Sequence, residues 1–84
     1  MIISSSAHKH NISDADILYV YENSINSLIL ETIPTKIMLF GFDTIGRAIE
    51  VGYIVNEQGE DIIIHAMKIR KIYYKYLFEG GIFE

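Results

Sequence analysis

An α+β domain is the fold class that the sequence predicts, with an antiparallel meander of three to four strands between helical segments at the two ends of the chain. Three observations predict it: a helix-capping pattern at Ser13, aliphatic runs with short polar turns over residues 28–67, and apolar residues at helical spacing over residues 69–78. Strands flanked by helices are typical of α+β packing, whereas a parallel sheet needs alternating strands and helices. Because 84 residues suffice for one domain and not for two, we expect residues 1–84 to form a single domain.

The first helix is predicted over residues 14–23. Ser13 is a favourable N-cap, and Asp16 at the third helical position completes a capping box. An apolar stripe follows at the spacing of a helix: Ile17, Val20 and Tyr21. A shorter turn of helix is expected before it, over residues 5–9, so the N-terminal part holds one helix or two short ones.

Strands dominate the middle of the chain. Four are predicted, over residues 28–33, 36–42, 47–55 and 61–67. Turn residues separate them, at Pro34, in the Asp-Thr-Ile-Gly loop at 43–46 and in the polar turn at 56–59. Short connections make consecutive strands antiparallel neighbours, which predicts a meander. The three isoleucines at 62–64 place the last strand well inside the sheet.

The last regular element is predicted to be a helix over residues 69–78. Its apolar stripe consists of Ile69, Ile72, Tyr73, Tyr76 and Leu77. Gly80 and Gly81 are expected to end this helix and to leave residues 80–84 as a flexible tail.

Composition excludes several classes of protein. Without cysteine the chain has neither disulfides nor a thiolate zinc site. The N-terminus lacks the apolar core of a secretory signal, and the uninterrupted apolar runs are too short to cross a membrane. We therefore expect a soluble, cytoplasmic protein.

The charge is unevenly distributed. The net charge is −4, yet four of the seven Lys and Arg residues lie within residues 68–75, which contain no acid. This pattern predicts a locally positive face on an acidic body. A positive face favours contact with nucleic acid, although the overall charge does not.

Three segments resemble BrnT-like toxins, members of the RelE superfamily found in bacterial type II toxin–antitoxin systems. KHNIS at residues 9–13, followed by Asp16 and Ile17, is similar to the opening of that family. FDTIGRAIEV at 42–51 is similar to its central hairpin, and IHAMKIRK at 64–71 to its final strand and turn. The matches occur in family order and together span most of residues 9–76.

The resemblance implies a compact RelE-like fold, metal-independent endoribonuclease activity on cellular RNA, no cofactor, and neutralisation by a small DNA-binding antitoxin. The sequence departs from the family pattern in its acidic net charge, in an N-terminal strand reduced to residues 1–3, and at two positions of the motifs. Asn11 stands where the family prefers glycine, and asparagine is a common substitute at a left-handed backbone position. Met67-Lys68 follows Ala66 where the family has Ala-Arg, which moves the basic position to Lys68 or Arg70.

Metal-independent RNA cleavage requires a base for the ribose 2′-hydroxyl, cations for the phosphate and an acid for the leaving oxygen. Four residues are the expected catalytic set: Arg47, His65, Arg70 and Lys71. The arginines would bind phosphate, the histidine would act as acid or base, and the lysine would give electrostatic support. Four more are expected to bind RNA: Lys68, Tyr74, Lys75 and His10. The catalytic pocket is expected where the third and fourth strands meet the terminal helix.

Each of these residues has a structural interpretation as well. His65 is typical of a half-buried structural histidine, Arg47 of a solvated charge after a turn, and His10 of a residue that hydrogen-bonds the turn before the helix cap. The basic residues of the last helix fit a solvated helix face, while Tyr73 and Tyr76 fit the core. His8 and His10 lack a nearby third metal ligand, so no metal site is predicted. Asp43 and Glu50 are assigned no chemistry.

Two other functions fit the same sequence. One is a catalytically silent protein-interaction module with the same fold, which the acidic charge and the altered Ala66-Met67-Lys68 turn favour. The other is a nucleic-acid-binding module without cleavage. The expected partners are an antitoxin and RNA, with no membrane, and a homo-oligomer remains open.

Overall fold

The computed structural model describes residues 1–78. One α-helix, α1 (Asp14–Glu22), is accompanied by a first 3₁₀ helix (Ser5–His8) and a terminal 3₁₀ helix (Lys71–Leu77). The strands are β1 (Ile2–Ile3), β2 (Asn26–Thr32), β3 (Thr35–Phe42), β4 (Ala48–Val55) and β5 (Asp61–Lys68). The predicted α+β class is confirmed.

The strands form one five-stranded mixed sheet in the order β1-β5-β4-β3-β2. Strands β2 to β5 are the predicted antiparallel meander. The predicted meander does not include β1, which pairs in parallel with β5 through Ile2–Ile62 and Ile3–Ile63 and makes the sheet mixed. This short strand covers the isoleucine-rich half of β5, so that half lies inside the sheet as predicted.

The first helix begins as the sequence predicts. The Ser13 hydroxyl accepts a hydrogen bond from the backbone N–H of Asp16 at 3.2 Å, which satisfies one of the free N–H groups of the first turn. Ile17 and Val20 are fully buried against the sheet. The predicted stripe therefore attaches α1 to the core.

The terminal helix differs from the prediction: it is a 3₁₀ helix and not an α-helix. In a 3₁₀ helix, residues three apart lie on one side, so Tyr73 and Tyr76 both contact Phe40, at ring distances of 5.1 and 4.8 Å. Ile72 was predicted to be in the apolar stripe but is 68% exposed, because the tighter helix turns it away from the sheet. The predicted glycine stop and the tail at 80–84 lie outside the described residues.

The sheet carries a core on each face. On one face, α1 and the first 3₁₀ helix cover Ile49, Val51 and Ile63. On the other, the terminal helix covers Met38 and Phe40. None of the helices within residues 1–78 combines the length and the apolar character of a membrane span.

Candidate active site

A bulge in β5 turns His65 toward the terminal-helix face of the sheet. Gly52 pairs with His65, but the next residue, Tyr53, pairs with Ile63, so Ile64 is an extra residue. Side chains alternate along a regular strand, and Ile63 and His65 would therefore face the same side without the bulge. The bulge lets Ile63 remain in the core under α1 while His65 reaches the opposite face.

Glu50 is the centre of the site on that face, and its side chain is 0% exposed. His65 Nε2 lies 2.8 Å from Oε2. The backbone N–H of Arg70 donates to Oε1 at 2.9 Å, and Nη2 of the same residue donates to Oε2 at 2.6 Å. One buried carboxylate therefore positions both a histidine and an arginine.

Glu50 remains ionised. Burial by itself would raise the pKa of its carboxyl, but the hydrogen bonds from His65 and Arg70 outweigh burial and lower the pKa to about 2. An ionised carboxylate only accepts hydrogen bonds, so Nε2 of His65 carries a proton. Nδ1 is then the nitrogen free to exchange a proton, and no hydrogen bond from residues 1–78 reaches it.

A cleft of about 390 Å³ opens beside His65, within the size range of small-ligand sites. Its apolar lining comes from Leu30, Met38, Ile64 and Tyr73, and its polar lining from Lys36, His65 and Arg70. Gly52 lies between Met38 and His65, where a Cβ would stand 3.5 Å from Met38 Sδ and 3.3 Å from His65 Cβ. The missing side chain therefore keeps the cleft open.

His10 brings a second imidazole to the site. Its ring meets that of His65 edge to face, with centroids 5.9 Å apart. The next residue, Asn11, has φ 60°, so the left-handed backbone expected there is confirmed. This turn leads the chain from His10 into the cap of α1.

Arg47 is not part of this cluster, contrary to the sequence-based expectation. Its Nε donates to Asp43 at 2.6 Å and its Nη2 donates to Asp16 of α1 at 3.2 Å. Burial would raise the pKa of Asp43, but hydrogen bonds from Arg47 and Ile45 lower it. The guanidinium thus ties the β3–β4 turn to α1 and does not line the cleft with His65 and Arg70.

The other expected basic residues lie outside the cleft. Lys68, Lys71 and Lys75 are exposed, and Lys75 Nζ lies 5.3 Å from the ring centre of Tyr76. Tyr74 is also exposed. Of the expected RNA-binding set, His10 is the residue whose ring meets His65 of the cleft, and no member of the set lines the cleft itself.

Two charged residues of the site were missed from the sequence. Glu50 stands between Ile49 and Val51 in an apolar strand, and an isolated acid on the inner face of a strand is itself a signal, since buried charges need partners. Lys36 approaches the cleft from β3, 3.8 Å from Glu31. No sequence signal distinguishes it from any other lysine at the start of a strand.

The two cations of the cleft each have a carboxylate partner. Arg70 pairs with the buried Glu50, and Lys36 lies 3.8 Å from the exposed Glu31. Among residues 1–78, no three His, Asp or Glu side chains group closely enough to hold a metal ion. Comparison with known proteins finds no matching family model, no matching curated protein and no matching solved structure.

Proposed function

We propose that the chain is the toxin of a type II toxin–antitoxin pair, with a RelE/BrnT-like fold, and that it cleaves cellular RNA without a metal ion. The observation that carries the proposal is the buried, ionised Glu50, which holds His65 and Arg70 together on one wall of an open cleft. The resemblance of three segments to BrnT-like toxins adds independent support.

Two imidazoles supply the proton transfers. One of His65 and His10 removes the proton of the ribose 2′-hydroxyl as its oxygen attacks phosphorus. The bond from phosphorus to the 5′-oxygen breaks, and the other imidazole protonates that oxygen. The products are a 2′,3′-cyclic phosphate and a 5′-hydroxyl, and each proton transfer contributes about 10²–10⁴-fold to the rate.

Glu50 and Arg70 prepare the site for the phosphate. Glu50 fixes the tautomer and orientation of His65 and stabilises the imidazolium that forms, as the acid does in a Ser-His-Asp triad. The Glu50 carboxylate also fixes the guanidinium of Arg70, whose remaining N–H groups are available to the phosphate. Lys36 adds a second cation.

The test is cleavage of an unstructured RNA oligonucleotide by the purified chain in the presence of a chelator. We expect a cyclic phosphate product, and we expect His65→Ala and Arg70→Gln each to lower the rate by about 10²-fold or more. Lys75→Gln is the matched control, since this exposed basic residue lies outside the cleft. If His65→Ala lost no more activity than Lys75→Gln, the proposal would be contradicted.

The toxin role is tested in a bacterium. Expression of the wild-type chain should arrest growth with decay of cellular RNA, and His65→Ala should remove both effects. A small DNA-binding protein encoded beside this chain should restore growth when it is co-expressed. Normal growth with intact RNA, at a confirmed level of folded protein, would exclude the toxin.

A silent interaction module of the same fold is the second candidate, and edge strand β2 favours it. Ile29 on this strand is 63% exposed, and Ile33 just after it is 92% exposed. Edge strands usually carry charges that prevent pairing with other chains, so these side chains fit a surface that a partner covers. A folded chain that cuts no RNA, but forms a stable complex with the protein encoded by the adjacent gene, would favour this function.

A further inference from the structure

We propose that the cleft beside His65 is a nucleobase subsite, and that the substrate is therefore unpaired RNA whose base enters the cleft while its phosphate lies at His65 and Arg70. The inference rests on the proposed function, because it takes the His65–Arg70 wall as the place of the phosphate. It adds that the chain recognises a base of the RNA and that this base must be unpaired.

The floor of the cleft has the shape that a flat ring needs. Gly52 pairs with Met38 on one side and with His65 on the other, so three strands contribute one row across the sheet. The middle member of that row has no side chain. The row is therefore hollow at its centre, with a thioether at one end and an imidazole at the other.

The walls above this floor are apolar and partly aromatic. Leu30 enters from β2, and the ring of Tyr73 enters from the terminal helix. The guanidinium of Arg70 lies 5.2 Å from the centre of the Tyr73 ring, which links the aromatic wall to the phosphate end. Aromatic and apolar side chains are the surfaces on which proteins stack unpaired bases.

The cleft is polar at both ends. Along β3, Lys36 lies two residues from Met38 in one direction, and Phe40, the partner of Glu50, lies two residues away in the other. The backbone positions of Lys36 and of Phe40, which stands beside Glu50, are thus four residues of strand apart, about 13 Å. This span accommodates one nucleotide, with its phosphate at Arg70 and the far edge of its base at Lys36, whose ammonium donates to a base acceptor.

Paired RNA does not fit this arrangement. A base in an A-form helix is stacked on both faces and cannot reach a floor set between Met38, Tyr73 and His65. Sequence-tolerant recognition of splayed bases by stacking is typical of proteins that act on single strands. The site therefore selects unpaired regions such as loops.

Titration of the wild-type chain tests the subsite without requiring cleavage. Uridine and guanosine 3′-monophosphates and inorganic phosphate are titrated separately, with the Met38 methyl and the His65 ring followed by NMR. We expect both nucleotides to bind about tenfold or more tightly than phosphate. We also expect the Met38 methyl signal to move with nucleotides only.

Leu30→Ala and Ile29→Ala form a matched pair on neighbouring positions of β2. Leu30 lines the cleft and is 37% exposed, whereas Ile29 lies outside it. Leu30→Ala should weaken nucleotide binding several-fold and leave phosphate binding unchanged, and Ile29→Ala should change neither. Equal affinity of the wild type for nucleotide and phosphate, or equal effects of the two substitutions, would overturn the subsite.

The result separates this inference from the proposed function. A chain that binds nucleotides through Leu30 but leaves RNA intact has the subsite and is not a nuclease. A chain that cleaves RNA, yet binds nucleotide no better than phosphate, is a nuclease without the subsite. Cleavage of a perfect duplex as fast as a single strand of the same sequence would also overturn the inference.

Discussion

Arg70 holds Glu50 with both its backbone and its side chain: the N–H donates at 2.9 Å and Nη2 at 2.6 Å. The carboxylate that receives them is fully buried, whereas the arginine is partly exposed to solvent. Because one acid fixes the start of the terminal helix and one wall of the cleft, stability and the proposed activity are coupled at Glu50.

Substitution of Glu50 should affect both properties. Glu50→Gln keeps the shape of the side chain but removes the negative charge that accepts hydrogen bonds from His65 and Arg70. It should lower the free energy of unfolding by about 1–3 kcal/mol. RNA cleavage should fall as well, because the tautomer of His65 is no longer fixed. Urea unfolding and the cleavage assay measure the two effects.

Glu57→Gln is the control for Glu50→Gln, since it removes the same charge from an exposed turn. It should change the free energy of unfolding by less than about 0.5 kcal/mol. An equal effect of the two substitutions would show that the hydrogen bonds to Glu50 contribute nothing to stability.

The pH dependence of stability follows from the same residue. The pKa of Glu50 is about 2 in the folded chain, below its ordinary value of 4.5. Between these two pH values the unfolded chain binds more protons than the folded chain. The stability that ionised Glu50 contributes is therefore fully present above pH 4.5 and is lost as the pH falls toward 2, by at most about 3 kcal/mol. The lowered pKa of Asp43 acts in the same direction.

Urea unfolding at a series of acidic pH values measures this loss. Glu50→Gln should flatten the curve between pH 4.5 and 2, leaving the part due to Asp43. If the wild type and the variant lost the same free energy of unfolding over this pH range, the pKa of Glu50 would not be lowered in the folded chain.

Arg47 and Arg70 should differ in their effect on activity. Arg47 joins Asp43 to Asp16 away from the cleft, so Arg47→Gln should lower the melting temperature but change the cleavage rate of the folded protein less than about twofold. Arg70→Gln should instead lower the rate by about 10²-fold. A strong loss of activity in folded Arg47→Gln would restore this residue to the catalytic set.

Gly52→Ala should slow cleavage by filling the cleft floor. The new Cβ would lie at ordinary contact distance from Met38 Sδ, 3.5 Å, but 3.3 Å from His65 Cβ, which is held by the strand and would have to shift. This shift offsets the preference of about 0.5–1 kcal/mol for alanine over glycine in a strand interior. We expect little change in stability with at least about tenfold slower cleavage, and an unchanged rate would refute the role of the open floor.

Tyr21 should resist ionisation in the folded chain. Its hydroxyl donates to Asp61 at 2.5 Å, and this hydrogen bond, followed by burial, raises the pKa of Tyr21 to about 12. The stabilisation is complete below pH 10 and is lost as the pH rises toward 12. Tyr21→Phe should lower the free energy of unfolding by about 1 kcal/mol, measured in urea at neutral pH.

Tyr19→Phe is the control on the same helix, since the side chain of Tyr19 is exposed. It should leave stability unchanged within about 0.5 kcal/mol. Ultraviolet titration of the wild type should show a late-ionising tyrosine that Tyr21→Phe lacks. Loss of only an early-ionising tyrosine in Tyr21→Phe would contradict the hydrogen bond to Asp61.

The sequence alone determined the elements whose signals are local. The cap at Ser13 and the turns that separate the strands depend on residues only a few positions apart. Such interactions do not depend on the tertiary structure, so the bounds of α1 and of the strands of the meander could be predicted closely. The basic character of residues 68–75 was readable in the same way.

Only the tertiary structure decided which residues meet. One extra residue at Ile64 chooses the face on which His65 lies, and a side-chain pattern with a period of two does not reveal such a bulge. Asp43 and Asp16 take Arg47 away from the site, while Glu50 brings in Arg70 from 20 positions along the chain. Pairings of charges across the fold depend on register and packing, which no local signal in the sequence specifies.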